Sequence, residues 1–94
     1  MKKFRVKENI CCLGKTWGGY FTGLIDDYAW AKTQMERNFM DHLHKYKDCN
    51  PKVSMGRTSC KLTMDNGDFV EVIIEEFSGG DVYEKCSKHT KTGN

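Results

Sequence analysis

At 94 residues with 15 Lys/Arg against 13 Asp/Glu, the chain is one domain's length and close to charge balance. That balance argues against a dedicated nucleic-acid binder with a global basic excess, and no stretch approaches the ~18 apolar residues of a membrane span. So short a chain builds a thin core with little depth for a secluded cleft, so binding is expected ahead of catalysis.

The basic opening MKKFRVKENI lacks the apolar run of a signal peptide. Residues 3–12 alternate Phe4, Val6, Ile10 and Cys12 with Lys3, Arg5, Lys7 and Asn9, and Glu8 is the one misfit. This predicts a strand with one wet face. GKTWGG reads as a turn on its glycines, and YFTGLI as a second strand ending at Asp26 or Asp27, either of which can cap the next element.

Residues 26–47 carry the clearest periodicity. On a helical wheel Tyr28, Ala31, Met35, Phe39, Leu43 and Tyr46 form one face, with His42 at its margin. That face is expected to be buried. Trp30, Thr33, Gln34, Arg37, Asp41 and His44 lie opposite, where a large apolar Trp30 has no packing reason to be. Lys45 and Lys47 suit the helix end, and Asn50-Pro51 stops it.

KVSMG reads as a loop. RTSCKLTM and DFVEVIIEEF flank Asn66-Gly67, the signal of a two-residue type I′ hairpin, which would pair Met64 with Phe69, Leu62 with Glu71 and Cys60 with Ile73. VEVIIEEF is apolar on both faces and suits a central strand. SGGD is a turn, VYEKC an optional short strand, and residues 85–94 a basic, solvated tail. The expected fold is α+β: one domain over residues 1–84, an antiparallel sheet of about four strands in ββαββ order, with the long helix across one face. The other face then needs cover, from a homodimer or a bound partner.

Gly14-Lys15-Thr16 does not make a phosphate loop, because Asn9 stands where the first glycine belongs and no helix follows. Cys86 and His89 have the spacing of a zinc half-site, but no second tight half-site exists. Cys11 or Cys12 with a histidine is conceivable as a nucleophile, yet nothing fixes a base beside either thiol. No metal, cofactor or catalytic residue is therefore assigned. Five cysteines, odd in number, suit reduced thiols in a cytoplasm, with Cys60 acting as a small hydrophobe in its strand.

Two surfaces remain as binding candidates. Trp30 with Gln34, Arg37, Asp41 and His44 has the composition of a protein-binding hot spot, and the acidic segment with Glu71, Glu75 and Glu76 is a surface for a basic partner. Alternatively Lys3, Arg5, Lys7, Lys15, Trp17 and Tyr20 combine cations with stacking rings, as single-strand binding does. The order of elements from residue 3 to 77, with one long helix, an acidic hairpin and no catalytic signature, resembles small phage-encoded inhibitor proteins, including the anti-CRISPR type. The resemblance rests on architecture and carries over no residue. It implies a stoichiometric inhibitor of a host protein or nucleoprotein complex, acting in the host cytoplasm and away from any membrane.

Overall fold

The computed structural model describes residues 2–78. Cys86, His89, the VYEKC strand, the boundary at residue 84 and the basic tail lie outside the described residues. Strands β1 (Lys2–Cys12), β2 (Lys15–Tyr20), β3 (Lys52–Met55), β4 (Ser59–Thr63) and β5 (Phe69–Ser78) form one antiparallel sheet in the order β2-β1-β5-β4-β3. Helix α1 (Tyr28–Lys45) crosses β1, β5 and β4 on one face. A 3-10 helix, Lys47–Cys49, ends on Asn50 in the left-handed region. The class is α+β as expected, with five strands in ββαβββ order instead of four in ββαββ.

The additional strand is β3, read from sequence as a loop. Only four residues long and exposed throughout, it carries too little alternation to announce itself. The first hairpin differs as well. Cys12 pairs with Lys15, so the turn is Leu13-Gly14, both with positive φ (54° and 81°), as a type I′ turn requires. KTWGGY is thus strand, and of the predicted strand YFTGLI only Tyr20 is. Residues 21–27 are irregular apart from a bridge in which Ile25 and Phe4 exchange backbone hydrogen bonds of 2.7 Å.

The second hairpin has its register one residue away from the type I′ pairing: Thr63 faces Phe69, Leu62 faces Val70 and Cys60 faces Val72. Gly67 N–H donates to the Met64 carbonyl (3.0 Å) and Met64 N–H to the Asp68 carbonyl (2.8 Å). With Gly67 at φ 94°, this is a three-residue loop closed by a glycine bulge. A one-residue shift moves every side chain of a strand to the other face. Here it gathers Cys60, Leu62, Val70, Val72 and Ile74 on the side of α1, where they are buried with Phe4, Val6, Ala31, Met35 and Phe39.

Asp27 caps α1, its side chain accepting from Ala29 N–H at 3.0 Å. The predicted inner face holds: Ala31, Met35 and Phe39 have no exposed surface, and Tyr28, Leu43 and Tyr46 pack at the margin. Tyr28 stacks edge-on against Phe4 with centroids 5.7 Å apart, and its hydroxyl donates to the Arg57 carbonyl at 2.6 Å. β5, apolar on both faces, is the central strand.

Candidate binding surfaces

Two surfaces are left uncovered by the described residues. The first is the outer side of α1. Trp30 is 53% exposed because it lies half a turn from Phe39, and Arg37, Asp41 and His44 are exposed further along the same side of the helix, with Gln34 half-buried. All five predicted partner-binding residues therefore lie outside the core.

The second is the sheet face opposite α1. Phe4 and Val6 point to the helix, so strand alternation turns Lys3, Arg5, Lys7, Asn9 and Cys11 the other way. Cross-strand partners share a face, which places Tyr20, Thr16 and Gly18 of β2, Phe69, Glu71, Ile73, Glu75 and Phe77 of β5, and Lys61 of β4 with them. The Arg5 guanidinium stacks 3.5 Å from the Tyr20 centroid and 5.2 Å from that of Phe77. Lys61 Nζ lies 4.6 Å over Phe69, and Lys7 sits 4.0 Å from Glu75. Lys3 bonds Asp26. Arg5 Nε and Glu75 Oε1 are buried with no hydrogen-bond partner among the described residues.

This arrangement corrects two groupings made from sequence. Lys15 and Trp17 do not join Lys3, Arg5, Lys7 and Tyr20, since Trp17 pairs with Ile10 and Lys15 with Cys12 on the helix side. A strand puts neighbours on opposite faces, whereas the turn assigned to KTWGG had left their direction open. Glu71, Glu75 and Glu76 do not form one acidic surface either. Glu76 pairs with Phe4 on the helix side and bonds Lys2 at 3.2 Å. Sequence reasoning missed Phe69 and Lys61 as part of the open face, because the assumed hairpin register put Phe69 on one face with Met64, Leu62 and Cys60, whereas Leu62 and Cys60 face the helix.

Cys11 and Cys12 point to opposite faces, and Cys11 Sγ lies 3.9 Å from a carboxylate oxygen of Asp68, while His42 is engaged by Glu8 at 3.0 Å. Burial pushes the Cys60 thiol up, which disfavours the nucleophilic thiolate. Among the described residues Cys11, Cys12, Cys49 and Cys60 form no disulfide, and no three metal-ligating side chains converge. Nor is any described helix long and apolar enough to cross a membrane. No family model, characterised protein or solved structure matches the chain.

Proposed function

We propose that the chain is a small binding protein without catalytic chemistry, and that it engages a protein partner through the outer face of α1 with Trp30 as anchor. The supporting observation is the exposure of Trp30 at 53%, in the first turn of a helix whose other side is sealed. A tryptophan with an arginine two turns further along the same helix side matches the residue types that dominate affinity at interfaces. Stoichiometric inhibition of a host protein or nucleoprotein complex, as by small phage proteins, is the activity that this architecture suits.

Affinity purification of the tagged protein from its own cell, with quantitative mass spectrometry, tests the reading. Trp30→Ala should leave the melting temperature nearly unchanged and weaken the partner by about 2 kcal/mol or more, with Arg37→Ala acting in the same direction. A partner retained undiminished by Trp30→Ala would remove the helix face from consideration.

A second reading is favoured by the open sheet face, where Arg5, Lys7 and Lys61 alternate with Tyr20, Phe69 and Phe77. Cations interleaved with rings suit single-stranded nucleic acid. A gel shift over a salt series tests it: steep loss of binding with salt supports the reading, and no binding at low salt removes it.

A further inference from the structure

The open face is not flat. A depression of about 420 Å³ lies between β2, β1 and β5, lined by Asn9, Thr16, Gly18, Phe69 and Glu71 together with Ile10 and Trp17. At its edge Gly18 makes room for the Asn9 amide: a β-carbon there would lie 2.6 Å from Asn9 Oδ1 and 3.1 Å from the Glu8 carbonyl oxygen. The Asn9 amide instead lies across the glycine, and its Nδ2 donates to Glu71 Oε1 at 3.3 Å. That bond is long and engages one carboxylate oxygen. Among the described residues Glu71 forms no ion pair, and its cross-strand neighbour Lys61 lies over Phe69 instead.

An occupant must be flat enough to lie against Phe69, must offer adjacent N–H donors to a carboxylate, and must suit a cationic surround. The strands bring Lys3, Arg5, Lys7, Lys52 and Lys61 to this face against Glu71 and Glu75; with Lys3 bonded to Asp26 and Lys7 beside Glu75, Arg5, Lys52 and Lys61 still outnumber Glu71, so a cationic peptide side chain is disfavoured. Single-stranded bases expose their Watson–Crick edges. Guanine alone carries two neighbouring donors there, N1–H and the exocyclic amine. Cytosine and adenine set one donor group beside an acceptor, and thymine sets its single N–H between two carbonyls.

We propose that this depression seats one guanine of a single-stranded nucleic acid, its Watson–Crick edge on Glu71 and its ring against Phe69, with the flanking phosphates toward Lys7 and Lys61. The proposal rests on the nucleic-acid reading of the open face and adds base identity to it.

Fluorescence anisotropy at low salt would compare a short oligothymidylate, the same strand with one central guanine, and the same strand with hypoxanthine, which lacks the exocyclic amine. The guanine strand should bind about tenfold tighter, the discrimination expected of a bidentate contact, and hypoxanthine should lose most of that gain. Glu71→Gln should bring the guanine-to-thymine ratio to about one. The hypoxanthine strand probes the contact without touching the fold. Equal binding of all three strands by the unaltered protein would overturn the guanine seat and leave the platform standing. Failure to bind any strand would overturn the platform and the seat together. Displacement of the guanine strand by equimolar guanosine monophosphate, or by an arginine-rich peptide, would replace the proposed occupant.

Discussion

Glu8 points to the helix side of the sheet, where its Oε1 accepts from Asn38 Nδ2 at 2.9 Å and lies 3.0 Å from His42 Nε2. It supplies the partner of Asn38, a polar side chain buried in the packed face of α1. Partial burial raises the Glu8 pKa, but the Asn38 and His42 contacts and the nearby Lys45 outweigh it and hold the carboxyl below its ordinary 4.5. A folded pKa below the unfolded one adds stability that is complete above the unfolded value and is lost as pH falls through the folded value. Asp68 acts with the same sign: hydrogen bonds from Leu13 N–H (3.0 Å) and Asn66 Nδ2 (3.1 Å) help hold it below its ordinary value. Urea midpoints at neutral and acid pH should therefore fall below about pH 4.5, and less steeply for Glu8→Gln; identical slopes would show that Glu8 contributes nothing. Leu13 stores a different cost, sitting at φ 54° with its side chain 84% exposed. A left-handed conformation costs an ordinary residue about 1–2 kcal/mol and asparagine less. Leu13→Asn should thus stabilise the protein by about 0.5–1 kcal/mol in urea unfolding, and an unchanged or lower urea midpoint would contradict the strain at this turn.

At the scale of elements, the helix was the part most legible in the sequence, because its signal repeats over five turns and each turn names the same face. The strands depend on fewer residues and on tertiary links that no local pattern contains. Asn66-Gly67 has the composition of a type I′ turn. In the fold, however, Asn66 Oδ1 accepts from Asp68 N–H at 2.9 Å, while the Asp68 carboxylate reaches across to Leu13. One carboxylate thereby ties both hairpin turns together, with consecutive positive-φ residues presenting N–H groups to an anion. The register that lets this happen also buries the apolar side of β4 and β5. The same reasoning explains Gly18: read as a turn residue, it is a strand residue that admits the Asn9 amide. Trp30 was legible as a misplaced aromatic, whereas the depression at Glu71 was not, since it joins three strands through a register that the sequence did not specify. Phe39, central to the helix face and fully buried, should cost about 3–5 kcal/mol when changed to Ala. That is a large share of the stability of a domain this small, and a thermal melt with no loss would contradict the packing.

Over the whole molecule, a single helix cannot cover five strands. It spans β1, β5 and β4, and leaves β2 and β3 as edges whose residues are all exposed. Val53 and Met55 face the helix side beside Leu62 and Cys60, yet stay 45% and 51% exposed, so β3 is held mainly by one ladder of hydrogen bonds. β5 is paired on both edges and buries Val70, Val72 and Ile74. Strands with little buried apolar surface open locally at a free energy below that of global unfolding. Native-state hydrogen exchange should therefore rank the amides with β5 slowest, β1 and β4 next, and β2 and β3 fastest, and only the central strand should approach the global unfolding free energy. Lys15 and Lys52 at the two edges oppose edge-to-edge pairing with another copy, so the ranking should not change with protein concentration. Protection of β3 equal to that of β5, rising with concentration, would instead mean that a second copy adds a strand along that edge and covers Val53 and Met55. The sheet would then continue through the pair, and the uncovered faces of this protein would have to be counted on the dimer.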